Sequence, residues 1–434
     1  MSKLVNYKVG KWLPSDQKTL DSWLKKITIE AEKQNTARTL LPPVQMFKDL
    51  IESDLKLKAN MEQMFREVPN KPPYQKDAFG DPEVRSIEQM LLLINHIIQR
   101  SPEFSDNLLI GCPLNAIFNW SMGTKAGQEV FLNPKVNDAL RDILDYWGEY
   151  LMSPQSAYIL NTSPDGWLNP LALKQMLAAA VGSSFTELFK TKSDKIEERF
   201  GFNSWDEFFT REFNDGIRPI ECANDDDVII NACESAPYRI ETNAKEEDQY
   251  WIKGQPFSLK DIFNNDPIYK EFIGGTIYQA FLSALSYHRW HSPIDGTIKK
   301  IYHIPGTYYS GSYSEGFIAG KDMDPANPDW SESYLAEVAA RAVIIFEADN
   351  KDIGTFAFVP IGMVEISSCE VDVKEGQKVK KGDQLGMFHF GGSTHLLVFG
   401  PHLDVEFDLH GQTPNFDATN IPVKSKIAKV SLKK

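Results

Sequence analysis

The chain is poor in cysteine, with four in 434 residues: Cys112, Cys222, Cys233 and Cys369. None belongs to a Cys-x-x-Cys pair, so a zinc knuckle and a thioredoxin-like redox motif are both disfavoured. Positive charge is also scarce. Lys and Arg number 46 against 60 Asp and Glu, giving a net charge of −14 and an isoelectric point near 5.2. Nucleic-acid binders carry basic surfaces, so no nucleic-acid partner is expected, and an anionic bilayer repels such a chain on average. No window reaches the ~18 apolar residues of a spanning helix, so no stable membrane insertion is expected. The opening segment Met1-Ser2-Lys3-Leu4-Val5-Asn6-Tyr7 lacks the apolar core of an export signal. The expected location is therefore cytoplasmic, with reduced cysteines. In that setting the sequons at Asn119 and Asn161 read as chance matches. Repeats and low-complexity tracts are absent too. Acidic runs such as Asp225-Asp226-Asp227 and Glu246-Glu247-Asp248 read as solvated loops.

What remains is an ordinary globular composition, 42% apolar and 24% charged, long enough for more than one domain. The first part has helical periodicity. From Val44 to Val68 the apolar residues Phe47, Leu50, Ile51, Leu55, Met61, Met64 and Phe65 recur at helical spacing, which predicts one helix. Ile87–Gln99, Val136–Met152 (with Asn133-Pro134 as its start) and Leu171–Val181 read the same way. Composition shifts near Gly201. After a short helix within Asn203–Phe213 come β-branched runs broken by Gly, Pro and Asn: 228–230, 294–301, 341–346, 354–361 and 364–371. The segment Val373–Gly386 has glycine at two corners, ten residues apart end to end, as tight turns with positive φ require. The expected architecture is α+β: a helical N-terminal domain, 1–195, then a mainly antiparallel β catalytic domain, 196–434.

Three segments carry candidate chemistry. In Phe388-His389-Phe390-Gly391-Gly392-Ser393-Thr394-His395, a Gly-Gly-Ser kink interrupts an apolar strand. Glycine leaves the Gly392 carbonyl open to attack by the Ser393 hydroxyl, although such a tripeptide alone is more often a bulge or hairpin. His389 and His395 flank it and are candidates for contacting substrate. The second segment, Tyr287-His288-Arg289-Trp290-His291-Ser292-Pro293, holds two of eight histidines. Imidazoles suit proton transfer near neutral pH. A zinc site would need further ligands, which no spacing supplies. The third, Asn231-Ala232-Cys233-Glu234-Ser235, places a carboxylate after an apolar strand, where it could orient a histidine in a Ser/His/acid set or simply face solvent.

With Phe208-Phe209-Thr210-Arg211-Glu212-Phe213, Arg218-Pro219-Ile220 and Lys253–Leu259, these segments resemble the phosphatidylserine decarboxylase family from about Asn203 onward. The resemblance implies a proenzyme that cuts itself between Gly392 and Ser393 into β and α fragments. It implies that Ser393 becomes an N-terminal pyruvoyl group that forms a Schiff base with the substrate amine and accepts electrons as CO2 leaves. No PLP and no metal are then expected. His291 matches the self-cleavage base, His288 the decarboxylation histidine, and Glu234 the position where the family has an aspartate. The N-terminal helices, Ala232–Ser235, Ile345–Lys351 and Gly386–Ser393 further resemble the soluble fungal tryptophan decarboxylase branch, that of psilocybin biosynthesis. The stretch Thr394–Phe399 is closer to the lipid enzymes. The implied substrate is a free L-amino acid, aromatic first. The alternatives are phosphatidylserine decarboxylation to phosphatidylethanolamine, a catalytically dead binding protein, and a metal-dependent hydrolase built on the two histidines. Related enzymes are often dimers, which makes a homodimer the assembly to test.

Overall fold

A computed structural model describes residues 17–34, 39–69, 84–105, 108–180, 182, 184–247, 257–311, 331–365, 368–415 and 417–434. The N-terminal heptapeptide, Val181, Asp248, residues 253–256 of the Lys253–Leu259 segment and residues 366–367 lie outside them. Helices dominate up to Phe209, and strands begin at Val228. The architecture is α+β.

Local chemistry sets the helix limits. Asn133 accepts from the Lys135 N–H ahead of Pro134–Met152, and Asn169 from Leu171 and Ala172 ahead of Pro170–Ala179. Ser86 does the same for Ile87–Ile97. The single helix expected over Val44–Val68 is instead two, Pro42–Ser53 and Leu55–Glu67. Asp54 divides them: its backbone is extended, and its carboxylate accepts from the Leu57 N–H. Capping there wins over continuation of the apolar stripe. The helix Pro113–Met122 starts at Cys112, whose side chain makes no cap hydrogen bond. Its cap comes from a distant residue, described below.

The strands are β1 Val228–Ile230, β2 Ala236–Thr242, β3 Thr276–Leu282, β4 Arg289–His291, β5 Gly296–Ile304, β6 Arg341–Ala348, β7 Thr355–Glu365, β8 Cys369–Val371, β9 Lys378–Val379, β10 Gln384–Phe388, β11 Gly391–Phe399, β12 Leu403–Phe407 and β13 Lys426–Leu432. Seven form one antiparallel sheet in the order β2-β3-β11-β7-β6-β5-β9. Two three-stranded sheets, β1-β13-β12 and β4-β10-β8, complete the β region. The apolar run expected as one strand over 364–371 is divided between the end of β7 and β8. Gly376 and Gly382 do adopt positive φ, 80° and 87°.

The Gly-Gly-Ser stretch corrects its description as a kink unsuited to a sheet. It opens β11, a strand buried at all nine positions near the middle of the large sheet. Leu397 and Phe399 enter one core with Tyr278, Phe358 and Trp290, while Leu396 and Val398 enter another with Val359 and Ile361. Packing on both faces overrides glycine's poor strand propensity. A disturbance remains, because the β7–β11 register slips between Gly392 and Ser393.

Candidate active site

Ser393 stands opposite Leu282 on β3 and Gly362 on β7. Its ladder partner on β7 thus has no side chain to crowd it. Across the register slip Gly392 faces Val364, so Met363 has no partner in the ladder beside the Gly392–Ser393 peptide. Ser393 is fully buried, and its Oγ has no hydrogen-bond partner among the described residues. A buried hydroxyl without a partner is costly as structure. It suits a group held ready to react. Thr394, on the opposite face, is by contrast satisfied: its hydroxyl donates to the Ala280 carbonyl at 2.9 Å.

The approach to Ser393 is anchored in the helical region. Phe390 packs edge-on against Trp147, Trp205 and Phe209 at 5.5, 5.7 and 5.5 Å. Phe209 also stacks on His288, with centroids 3.9 Å apart. His288 is buried, and neither ring nitrogen makes a hydrogen bond of good geometry among the described residues. Burial, then the Arg211 charge, lowers its pKa well below the usual range, although the Ser283 and Phe209 backbones act the other way. Ser283 follows Leu282, the strand partner of Ser393. His288 and Ser393 therefore flank one corner of β3.

His291 is held at both ring nitrogens. Nδ1 lies 2.9 Å from the Gly382 carbonyl and Nε2 3.0 Å from the Tyr287 hydroxyl. A carbonyl only accepts, so Nδ1 carries the proton and Nε2 accepts from Tyr287. Burial, aided by Lys424, pushes the His291 pKa down to about 3 despite the Gly382 carbonyl. The ring is thus neutral near pH 7. The turn at Gly382, legible as a turn in the sequence, has this second use.

Glu234 is fully buried, not exposed, and its carboxylate is bonded to Arg218 and the Val423 N–H rather than to His291. Arg218 grips it with two bonds, at 2.5 and 3.0 Å, and the Val423 N–H donates at 2.8 Å. Burial raises its pKa, and Arg218 counters that. The link to His291 is indirect. Arg218 lies over Phe213 at 4.3 Å, Phe213 stacks on Tyr287 at 4.3 Å, and Tyr287 bonds His291. The His291 backbone N–H also donates to the carbonyl of Ala232, two residues before Glu234. Arg218 and Tyr287 were visible only as members of motifs, and the charge complement of Glu234 was the signal for Arg218. Glu234→Ala should cost about 3–5 kcal/mol, because it leaves a largely buried guanidinium without its counter-charge. Urea unfolding checks this, and an unchanged midpoint would show that the pair carries no stability.

The two flanking histidines differ. His395 lies on the same strand face as Ser393, two residues on, between Tyr278 and Phe358. Neither of its nitrogens has a partner among the described residues, and burial lowers its pKa to about 3. His389 instead bridges Asp206 at 2.8 Å and Glu370 at 2.7 Å. Burial opposes its charge, but Asp206 and then Glu370 outweigh that and raise its pKa from 6.5 to about 9. Its contribution to stability is full below pH 6.5 and is lost as pH rises through 9. His389→Gln should therefore destabilise the protein at pH 6 by up to roughly 3 kcal/mol, with the difference shrinking toward pH 9.5. Thermal unfolding across that range tests it, and a pH-independent difference would remove the ion pairs as its cause.

The described residues contain no His/Cys/Asp/Glu group that could hold a metal, and no described helix is long and apolar enough to cross a membrane. What the fold and site define is an α+β protein whose helical region closes over a buried Gly-Ser peptide and neutral histidines. Two family profiles, both described as phosphatidylserine decarboxylase, match residues 41–176 and 205–416. Decarboxylase iboD of Amanita muscaria is 43% identical over 330 residues, spanning 73% of this chain and 94% of that protein. L-tryptophan decarboxylase of Psilocybe cubensis is 36% identical over 398 residues, 89% of this chain and 87% of that one. Phosphatidylserine decarboxylase proenzyme 3 of Schizosaccharomyces pombe is 28% identical over 236 residues, 54% of this chain and 22% of that one. The chain belongs to the phosphatidylserine decarboxylase family and is a decarboxylase. The family uses a pyruvoyl group and cleaves itself into fragments. A buried serine hydroxyl without a hydrogen-bond partner among the described residues, beside a glycine carbonyl and a register slip, fits the precursor of such a group.

Proposed function

We propose that this chain is a self-processing decarboxylase of free L-amino acids, aromatic first (tryptophan, tyrosine or phenylalanine), working in the cytoplasm. The observation that carries the reading is the reach of the likeness: 36% identity to an L-tryptophan decarboxylase extends over 89% of the chain. Likeness to the fission-yeast lipid enzyme covers 54%.

In the proposed processing step, Ser393 Oγ attacks the Gly392 carbonyl, and the peptide nitrogen takes up the hydroxyl proton as the amide becomes an ester. Removal of the Ser393 Cα proton then expels the Gly392 carboxylate. The resulting enamine takes up water and releases ammonia, leaving a pyruvoyl terminus on residues 393–434. His291 is the proposed base. Its neutral ring accepts at Nε2 from the Tyr287 hydroxyl, and Nδ1–H donates to the Gly382 carbonyl, which fixes its orientation. Glu234 supports that pair through Arg218 and Phe213. When formed, the pyruvoyl group supplies an electron sink for loss of CO2. His288, neutral and buried against Phe209, is proposed to take a proton from the substrate ammonium and to return it to the carbon that loses CO2. His395, on the Ser393 face, is the proposed substrate contact. No PLP or metal is required.

A second reading, phosphatidylserine decarboxylation, is favoured by the family match at 205–416. Mass spectrometry of the purified protein, then product analysis with the common L-amino acids and with phosphatidylserine vesicles, separates the two. Amine from an aromatic amino acid is expected. Phosphatidylethanolamine formation with no free amino acid consumed would overturn the proposal. Gel filtration tests the homodimer.

A further inference from the structure

Glu365 ends β7 directly opposite Gly391, one residue before the Gly392–Ser393 peptide. It is fully buried, and its φ of 61° is left-handed, a conformation that side-chain-bearing residues seldom adopt. Its carboxylate crosses to the helical region, where the Asn115 N–H donates to Oε1 at 2.9 Å and the Tyr309 hydroxyl lies 3.4 Å from Oε2. The Leu114 N–H also favours its ionised form. Asn115 is in the first turn of Pro113–Met122, the helix whose own N-cap residue offers no side-chain bond. A carboxylate 250 residues away in sequence thus takes the cap role.

The geometry on the β side gives this contact a consequence for Gly392–Ser393. From Glu365 backward, Val364 pairs with Gly392, Met363 is skipped, and Gly362 pairs with Ser393. The slip beside the proposed cut is therefore bounded by Glu365 at one end. The bonds from Asn115 and Tyr309 hold that end in place.

We propose that Glu365 is a positioning residue for self-cleavage, using the start of the Pro113–Met122 helix to hold the β7 bulge against the Gly392–Ser393 peptide. This inference rests on the cleavage site proposed above. Among the described residues, the titratable groups that face Glu365 are Tyr309 and Cys112. Burial raises the Glu365 pKa to about 8, although Asn115, Tyr309 and Leu114 all favour its ionised form. The ionised carboxylate is the form that accepts all three bonds, so cleavage should speed up as pH rises through 8.

The test follows uncut precursor with time, from pH 6 to 9.5, in freshly made wild-type, Glu365→Gln, Glu365→Gly and Tyr309→Phe chains, with Ser393→Ala as the uncut control. Glu365→Gln should cleave at least ten-fold more slowly and lose the rise near pH 8. Tyr309→Phe, which alters no backbone, should keep the rise but shift it upward, since one donor to the carboxylate is gone. Glu365→Gly, which tolerates the left-handed conformation but has no carboxylate, should be slow like Glu365→Gln. Cleavage at the wild-type rate and pH profile in both Tyr309→Phe and Glu365→Gly would overturn the proposal, leaving a helix cap only. If Glu365→Gln fails to fold, the Tyr309→Phe profile decides. Wild type uncut between 392 and 393 would instead refute the cleavage site itself.

Discussion

Ser393→Ala is expected to give one uncut chain of 49.2 kDa with no decarboxylase activity. The hydroxyl is the only group on residue 393 that can attack the Gly392 carbonyl, and alanine can yield neither the ester nor the pyruvoyl terminus. The loss should be complete rather than graded, because nucleophile and cofactor precursor are one atom set. Ser393 Oγ makes no hydrogen bond among the described residues. Removing it breaks no contact and spares a buried polar group its desolvation, so stability should change by less than about 1 kcal/mol. That contrast makes the experiment decisive. A gel would show the intact band, thermal unfolding would stay near wild type, and no amine would form. Normal cleavage in this variant would place the cut elsewhere and dismantle the proposed mechanism.

The same geometry explains which parts of the molecule could be read from sequence. Helices with a periodic apolar face and a polar cap, such as Pro134–Met152 behind Asn133, are local and legible. Gly376 and Gly382 were legible as turns because positive φ restricts residue choice at one position. Asp54 shows the limit: an apolar stripe runs through it, and only its own hydrogen bond to Leu57 reveals the break. Gly391-Gly392-Ser393 looked unlike a strand because propensity is local, whereas β3 and β7 bury it from both sides. The long-range pairings were less visible still. Glu234 was found as a carboxylate near a strand end, but its partner Arg218 and the Val423 N–H emerge only once the chain is folded. Glu365 had no sequence signal, since its meaning depends on Asn115, 250 residues away, and on the residue it faces across a ladder. The proposed chemistry sits in short motifs, and the groups that hold it in place are scattered.

The two motif histidines should separate processing from turnover. His288→Ala is expected to leave cleavage intact and to lower turnover by about 10²–10⁴-fold, the usual worth of a general acid or base. His291→Ala is expected to slow cleavage by a similar factor and leave mostly precursor. The different surroundings of the rings argue for this division. His291 has a fixed orientation, with Nδ1 bonded to the Gly382 carbonyl and Nε2 to Tyr287, as a base needs when its target is part of the same rigid chain. His288 has no such tether and lies flat against Phe209, in the aromatic cluster that also holds Phe390. A ring held mainly by stacking, with weaker backbone contacts from Ser283 and Phe209, can meet a substrate that arrives after processing. Tyr287→Phe supplies the finer test. It removes the hydroxyl that occupies His291 Nε2 and retains the stack on Phe213, so cleavage should change while the fold does not. Borohydride added with substrate should trap an adduct on residues 393–434 in cleaved His288→Ala as in wild type, because the carbonyl is already present there. An uncut His288→Ala chain alongside a normally processed His291→Ala chain would exchange the two roles.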